Sequence, residues 1–314
     1  MSFRPKVLLS LLTDQEEYQR MQAKSAQSAA NREGVELEIL YAEKNPVVQI
    51  QQIHRAVARP SESRPVAIVV HSVGVTGVES AARAAVQAKI GWMLLSEKVP
   101  YLEALRREFP GPLVGCVYVD NEEVGKIQGR VAKALLPAGG PIVCVEGPPL
   151  SGASQNRRKG LERELTGTQL KVSRWIPGDW TAASAERAVG SWVRNAPDSA
   201  RPSLIICHND EMGAGTAHAI HRNRPAWSDV PIAGCDGVPE RGQKMVRENL
   251  LAATIVIPPR ADIAIEAVTK HLRRQPVPFA TLVTPQLVPS TRELAALGTR
   301  LAERVSKTAT PVAP

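Results

Sequence analysis

The stretch SLIICHNDEMGAGTAHAIHRN at residues 203–223 contains the two kinds of element that decide the fold. Its first part is a short apolar run that ends at His208, a pattern typical of a buried strand. Polar residues follow, and the segment from Met212 to Asn223 has the spacing of an amphipathic helix. Short apolar runs and longer amphipathic stretches alternate in this way along the whole chain, which is typical of parallel strands joined by helical crossovers. The sequence therefore predicts an α/β fold.

The alternation runs through two similar halves of the chain, from Lys6 to Leu95 and again from Pro141 to Cys235. A chain of 314 residues is long enough for two cores, because single cores tend to split beyond roughly 250 to 300 residues. Apolar elements that follow Leu250 indicate that the chain returns to the first lobe. We predict two Rossmann-like lobes with parallel sheets and a cleft between them. The predicted division is residues 1–119 with 258–284, residues 120–257 with 285–298, and a helix end and tail at residues 299–314.

Composition and charge exclude several classes of protein. Hydrophobic residues make up 43% of the chain and charged residues 22%, which is ordinary for a soluble globular protein. Every apolar run is far shorter than the roughly 20 residues of a membrane-spanning helix, so we predict no membrane insertion. The net charge of +8 is distributed over short clusters such as Arg157-Arg158-Lys159. This distribution favours a solvated surface, and we predict no nucleic-acid partner.

Residues for catalysis are not recognisable in the sequence. The four cysteines lie in or beside apolar runs and form no C-x-x-C pair, which favours buried thiols. The segment from Gly147 to Gly152 lacks the spacing of a dinucleotide- or nucleotide-binding loop. We therefore predict no catalytic residue, no metal and no cofactor, and an enzyme is the weaker alternative.

The start of the chain bears on localisation. The first predicted strand begins at Lys6, whereas a secretory signal would place an apolar region of about 7 to 15 residues and a cleavage site before the mature fold. We expect a cytoplasmic protein. The alternative is a periplasmic or cell-envelope protein from which a signal has been removed.

Polar groups are concentrated just after the predicted strands. In open parallel sheets, ligands bind outside the carboxyl ends of the strands, so the site is expected there. Hydrogen-bonding groups together with aromatic side chains suit a polyhydroxylated ligand such as a sugar, which has both hydroxyls and an apolar ring face. The segments concerned are 13–18, 71–72, 96–97, 152–157, 178–180, 208–210 and 235–237.

Five short strings resemble a known family. They are VDNEEVG at 119–125, QNRRKG at 155–160, CHNDEMGAG at 207–215, GCDGVPE at 234–240 and LAATI at 251–255. In this combination and order they resemble the type I periplasmic sugar-binding proteins of the ribose-binding kind. The ligand domain of the lactose-repressor family shares this core, but the segment before Lys6 is too short for a DNA-binding head.

The resemblance implies roles for four residues of the second lobe. Arg157 matches an arginine that donates to sugar oxygens, and Trp180 matches an aromatic residue that stacks on the sugar ring. Asn209 matches an asparagine that both donates and accepts, and Asp236 matches an aspartate that accepts from two hydroxyls. Structural roles remain open for each: a surface arginine, a core tryptophan, a turn asparagine and a turn aspartate before Gly237.

The first lobe departs further from the family pattern. Tyr18 aligns with an aromatic residue that could cover the other ring face, although helix-start packing is an equal alternative. Gln15 aligns approximately with an asparagine. Ser96-Glu97 stands where the family has an Asp-Arg pair, so ribose itself is not implied, and Glu97 is either an acceptor for ligand groups or an exposed helix-start acid. Ile257 occupies a further hydrogen-bonding position, and His71 is more readily explained as a structural histidine.

The resemblance implies a non-catalytic substrate-binding component of an ABC-type sugar transporter, with a sugar-like ligand and an ABC permease as partners. The alternative is a cytoplasmic sugar sensor that signals to a partner protein. An amphipathic stripe containing Leu294, Leu297, Leu301 and Val305 is expected to pack on its own lobe, with a protein contact as the weaker alternative. The tail from Ser306 to Pro314 is predicted to be disordered.

Overall fold

Two compact units make up the chain. A computed structural model describes residues 4–74 and 77–308, with side chains described through residue 303. The first unit consists of Met1–Asp120 and Pro258–Thr284, and the second of Asn121–Ile257 and Pro285–Pro314. This division differs from the predicted one by a single residue, Asp120. It also assigns the C-terminal helix to the second unit, whereas the prediction separated residues 299–314.

Strands and helices alternate along most of the described chain. The strands are β1 (Lys6–Leu11), β2 (Glu36–Tyr41), β3 (Ala67–Val70), β4 (Gly91–Leu94), β5 (Val114–Val119), β6 (Gly140–Glu146), β7 (Leu170–Pro177), β8 (Leu204–Cys207), β9 (Ile232–Ala233), β10 (Thr254–Val256), β11 (Ala280–Val283) and β12 (Gln286–Val288). The α-helices are α1 (Glu17–Glu33), α2 (Pro46–Val57), α3 (Val78–Gln87), α4 (Pro100–Glu108), α5 (Asn121–Leu135), α6 (Gly152–Leu165), α7 (Ala182–Asn195), α8 (Asp210–Asn223), α9 (Lys244–Arg247), α10 (Ala261–Leu272) and α11 (Thr291–Thr308).

The first unit is built on a six-stranded parallel sheet in the order β11-β5-β4-β3-β1-β2. Strands β3 and β4 are buried along their whole length, as expected of a parallel sheet with helices on both faces. Trp92 and Leu8 belong to the core beneath it. Helix α10, which comes late in the sequence, packs against α1. The chain therefore returns to the first unit through α10 and β11.

The second unit has a four-stranded parallel sheet in the order β7-β6-β8-β9 and a separate antiparallel pair, β10-β12. All four residues of β8, the run LIIC, are buried. Helix α11 packs on α5, and Leu294 is fully buried there. The predicted C-terminal stripe therefore packs on its own unit through Leu294, and Leu297 and Leu301 lie against the same core.

Two features of local structure were not predicted from the sequence, and one prediction was wrong. The polar segment with Pro100 was not predicted to be helical, but α4 begins at this proline, because the first helical position tolerates a residue without an N–H group. The apolar run from Thr281 to Val288 is not one element, since β11 pairs with β5 and β12 pairs with β10. The predicted tail from Ser306 is helical to Thr308, and residues 309–314 lie outside the described residues.

Two glycines from the strings VDNEEVG and QNRRKG let α5 and α6 pack closely. A Cβ atom added at Gly125 would overlap the backbone carbonyl of Arg157, and one added at Gly160 would overlap the backbone carbonyl of Glu122. Neither position has room for a side chain. The close approach brings α6, and with it Arg157, next to the start of α5.

Replacing Gly160 by alanine should lower the free energy of unfolding by about 1–3 kcal/mol, the usual cost of overpacking, because α5 and α6 must move apart. Alanine favours a helix over glycine by about 1 kcal/mol, so a loss of stability reports the contact between the helices. Urea denaturation measures the effect. The matched control is Gly111→Ala, where a Cβ atom would meet nothing within 4 Å. Equal stabilities of the two variants would contradict the close contact.

Candidate functional site

Polar side chains of the second unit gather after the ends of its parallel strands. Arg157 lies on α6, which follows β6, and Trp180 lies in the loop after β7. Asn209 follows β8, and Asp236 follows β9. The structure links these four residues, which the sequence analysis selected, into one connected cluster within the second unit.

Arg157 is the centre of this cluster. Its side chain is buried, with the residue only 6% exposed, so it is not a surface arginine. Its Nε donates to Asn121 Oδ1 at 3.1 Å, and its Nη1 donates to the backbone carbonyl of His208. Its Nη2 lies 3.9 Å from Asp236 Oδ1. A charge-assisted network of this kind holds the guanidinium in one orientation.

The indole of Trp180 lies close to the guanidinium of Arg157 and to the ring of His208. The guanidinium carbon of Arg157 lies 5.6 Å from the centroid of the indole ring. The indole also stacks on the ring of His208, with the centroids 6.4 Å apart and the planes 29° apart. A Cβ atom at Gly147 would overlap the indole, so only glycine fits beneath the ring. Trp180 is half-buried at the edge of the core rather than inside it.

Asn209 has two structural hydrogen bonds. Its Oδ1 accepts from Met212 N at 2.9 Å, so Asn209 is the N-cap of α8. Its Nδ2 donates to the backbone carbonyl of Trp180 at 2.9 Å. The cap explains why α8 starts at Asp210, two residues before the predicted start. The amide also fixes the loop that carries Trp180.

Asp236 lies in a strained turn that a second aspartate holds in place. Asp236 has a positive φ of 99°, a conformation uncommon for residues other than glycine. Next to it, Gly237 N donates to Asp210 Oδ2 at 2.7 Å, and Thr254 Oγ1 donates to Asp210 Oδ1 at 2.7 Å. Burial first and the nearby Asp236 second raise the pKa of Asp210 well above its ordinary value. Sequence analysis did not identify this anchoring role, because Asp210 reads only as part of a polar strand end.

Two glycines make room for the buried carboxyl group of Asp210. A Cβ atom at Gly234 or at Gly242 would overlap its oxygens. The first of these glycines begins the string GCDGVPE. The string therefore contains both Asp236, the residue proposed to contact ligand, and Gly234, which leaves room for the carboxyl group of Asp210.

His208 is a buried member of the cluster that sequence analysis did not select. Gly147 N donates to its Nδ1 at 3.3 Å, so the neutral ring carries its proton on Nε2. Within the described chain, this buried Nε2 has no hydrogen-bond partner. Burial, followed by the charges of Arg157 and Arg158, holds the pKa of His208 well below its ordinary value.

Acidification should therefore destabilise the second unit through His208. Because the pKa of this histidine is depressed in the folded state, its contribution is intact above the unfolded value of about 6.5 and is lost as the pH falls below it. Between about pH 7.5 and 5.5 the wild type should lose up to about 1.4 kcal/mol more unfolding free energy than His208→Gln. Urea denaturation at both pH values measures this difference, with His54→Gln at an exposed position as the control. Parallel losses in wild type and His208→Gln would exclude the effect.

In the first unit, Tyr18 lies beside a histidine and an arginine. Its hydroxyl donates to the backbone carbonyl of Pro258 at 3.3 Å, and its half-buried ring meets His71 edge-on at 6.5 Å. The guanidinium carbon of Arg260 lies 5.8 Å from the centroid of the Tyr18 ring. His71 Nδ1 accepts from Gln19 Nε2 at 3.1 Å. Burial, followed by the charge of Arg260, holds the pKa of His71 well below its ordinary value.

The two other predicted residues of the first unit are placed differently. Gln15 is exposed, and its Nε2 donates to Asp14 Oδ1 at 2.7 Å. Glu97 is half-buried in the segment between β4 and α4. Arg260 was missed by the sequence analysis, which examined the residues directly after each strand and stopped at Ile257. Its position just before α10 is the signal that could have identified it.

None of the helices in residues 4–74 and 77–308 is long and apolar enough to cross a membrane. In the same part of the chain, no three His, Cys, Asp or Glu side chains group in a way that could hold a metal ion.

Two units, each with a parallel sheet whose strands are followed by polar loops, are typical of type I periplasmic binding proteins. Solved structures of this class have the same fold. One is the binding protein of the arabinose ABC transporter from Shewanella sp. ANA-3, bound to α- and β-L-arabinofuranose. It has a TM-score of 0.80 at 19% identity, and the match covers 98% of this chain and 99% of that protein. A solute-binding protein from Actinobacillus succinogenes 130z with bound D-allose has a TM-score of 0.79 at 21% identity. The match covers 95% of this chain and 100% of that protein. The predicted α/β class with parallel sheets is confirmed.

The chain belongs to the periplasmic binding protein domain family, whose model matches residues 7–276. The ribose import binding protein RbsB of Salmonella typhimurium is 25% identical over 230 residues, which are 73% of this chain and 71% of that protein. The galactofuranose-binding protein YtfQ of Escherichia coli K12 is 23% identical over 262 residues, 82% of this chain and 79% of that protein. The predicted resemblance to type I periplasmic sugar-binding proteins is therefore confirmed.

Proposed function

We propose that this protein binds a monosaccharide or a related polyol without converting it, as the substrate-binding component of an ABC-type sugar transporter. The observation that carries the proposal is the buried guanidinium of Arg157, which lies beside the Trp180 indole and 3.9 Å from the Asp236 carboxylate. A donor, an acceptor and an aromatic plate are the three groups that a polyhydroxylated ring needs.

Each of these residues has a definite role in the proposal. Arg157 donates to ring or hydroxyl oxygens, Asp236 accepts from adjacent hydroxyls, and Trp180 stacks on the apolar ring face. Asn209 already makes one hydrogen bond with Oδ1 and one with Nδ2. An amide has one further acceptor and one further donor direction, so a contact between ligand and Asn209 uses those.

The first unit contributes a second set of contacts in this proposal. Tyr18 supplies another aromatic face, and Gln15 and Glu97 supply polar groups. Glu97 stands where the ribose-binding pattern has an arginine, so these contacts differ from those expected for ribose. The ligand is therefore sought among other pentoses, hexoses and polyols.

Delivery to a transporter is favoured over sensing by the relatives, which are named as an import binding protein and a sugar-binding protein. The partner in this proposal is an ABC permease. Delivery to an importer requires a location outside the cytoplasmic membrane. The proposal therefore favours the periplasmic alternative over the cytoplasmic location that we expected from the first residues of the sequence.

Isothermal titration calorimetry against a panel of pentoses, hexoses, their sugar acids, polyols and inositols tests the proposal. We expect at least one member to bind with one-to-one stoichiometry and to raise the melting temperature, because a ligand that binds only the folded state stabilises it. NMR spectra of the ligand recovered after long incubation should be unchanged. Lack of binding by every member, or conversion of a bound member, would contradict the proposal.

A further inference from the structure

Arg260 is held at a fixed position in the first unit. It is the N-cap residue of α10, and the buried side chain of Gln22 accepts from the backbone N–H groups of Arg260 and Ala261 at 3.0 and 2.9 Å. The backbone from which the guanidinium extends is therefore tied to α1. Its side chain reaches the ring of Tyr18, a residue proposed to contact ligand.

The Nε atom of Arg260 is buried without an acceptor. The residue is only 4% exposed, and its Nε is buried with no hydrogen-bond partner. Among the side chains of residues 4–74 and 77–303, no carboxylate forms an ion pair with it. Asp262 lies two residues away, but its charged neighbours are Glu266 and Arg32. Arg157, by contrast, donates to Asn121 and to the His208 carbonyl and lies near Asp236.

Burying an arginine without a hydrogen-bonding partner raises the free energy of the folded protein. Arginine is almost never fully buried unless it is paired, because its charge loses hydration that an acceptor must replace. The face of Tyr18 offers electrostatic attraction but no acceptor for the five N–H donors of the guanidinium. The missing acceptor is therefore expected to arrive with the ligand.

We propose that Arg260 binds a carboxylate of the ligand, so that the ligand class of this protein is a sugar acid, an aldonate or a uronate, rather than a neutral sugar. The inference rests on the proposed function and makes its ligand more specific. A planar guanidinium matches a carboxylate with two parallel hydrogen bonds.

The local charge favours a carboxylate over a phosphate. Arg260 supplies one positive charge. The neighbouring His71 supplies none, because burial and the charge of Arg260 hold its pKa well below the ordinary value. A carboxylate brings a single negative charge, which balances the arginine, whereas a phosphate monoester brings nearly two.

Calorimetry with matched pairs of ligands tests the proposal. The pairs are D-gluconate and D-glucose, D-galacturonate and D-galactose, and D-ribonate and D-ribose. We expect wild-type protein to bind at least one acid about 100-fold or more tighter than its neutral partner, as two charge-assisted hydrogen bonds allow. Arg260→Gln should remove this preference, so that the acid and its neutral partner bind with similar affinity.

Two controls separate binding from folding. Arg273→Gln removes an exposed arginine just after the end of α10, where it pairs with Glu33 at 3.0 Å, and it should keep the preference for the acid. Ligand-free Arg260→Gln should melt at the temperature of the wild type or above it, because an unpaired buried charge has been removed.

The outcomes distinguish this inference from the proposed function. A neutral sugar that binds as tightly as its acid, or an acid preference that survives Arg260→Gln, overturns the role of Arg260 and leaves the sugar-binding proposal standing. Tighter binding of a sugar phosphate than of the matching acid also overturns it. Lack of binding by every acid, every neutral sugar and every other member of the panel rejects the proposed function itself.

Discussion

Replacing Arg157 by methionine should strongly weaken ligand binding and destabilise the second unit. Methionine keeps the apolar stem but leaves Asn121 Oδ1 and the His208 carbonyl without their donor, and Asp236 without its cation. Breaking a buried charge pair on one side costs about 3–5 kcal/mol of unfolding free energy. The affinity for the ligand should fall at least about 100-fold, because two hydrogen bonds to a charged group are lost at roughly 1.5–3 kcal/mol each.

Two further variants make this result specific to the guanidinium. Arg157→Lys keeps the charge without the planar fork, so it should recover stability more than affinity. Arg163→Met removes an exposed arginine from the same helix, where it pairs with Glu122, and a surface pair is worth only about 0–1 kcal/mol. Calorimetry and urea denaturation measure both quantities. If Arg157→Met binds ligand as tightly as Arg163→Met, Arg157 does not contact the ligand.

Replacing Asp210 by alanine should be nearly as damaging, although we assign it no contact with ligand. The change leaves Gly237 N and Thr254 Oγ1 without their acceptors in a buried site. An unsatisfied buried group costs about 1–3 kcal/mol, so the second unit should lose roughly 2–5 kcal/mol of unfolding free energy. Affinity should also fall, because the turn that carries Asp236 loses its anchor.

Asparagine at position 210 is the matched control. Its Oδ1 can accept from Gly237 N, and its Nδ2 can donate to Thr254 Oγ1, so both contacts keep a hydrogen bond, the second with its direction reversed. The raised pKa of Asp210 means that the carboxylate charge is unfavourable in this site, and removing it has little cost. Asp210→Asn should therefore unfold at nearly the urea concentration of the wild type. A loss as large as that of Asp210→Ala would show that the charge, and not the hydrogen bonds, holds the turn.

The order of the elements in the fold was predictable because it depends on short-range patterns. Buried strands such as β3 and β8 are continuous apolar runs, and the helices between them have amphipathic spacing. Helix α4 was not predicted, because Pro100 is equally compatible with a loop and with the first position of a helix. The division of residues 281–288 between β11 and β12 was not predicted, because an apolar run does not specify its partner strand.

The candidate site was partly predictable for a different reason. Arg157, Trp180, Asn209 and Asp236 stand in strings that resemble a family, and the structure links them through the Arg157 guanidinium and the Trp180 loop. His208 and Asp210 stand beside Asn209 in the same string, yet nothing local distinguishes a buried anchor from an exposed polar residue. Arg260 lies in no recognisable string.

By itself, the sequence determined the α/β class, the two repeated halves and the polar strand ends where a ligand is expected, because periodicity and turn chemistry act between neighbours in the chain. Only the tertiary structure decided that Gly125 and Gly160 bring two helices together, that Asp210 holds the turn of Asp236, and that the Nε atom of Arg260 is buried without an acceptor. Burial and hydrogen-bond satisfaction depend on residues that are far apart in the chain. They exist as physical quantities only after the chain has folded.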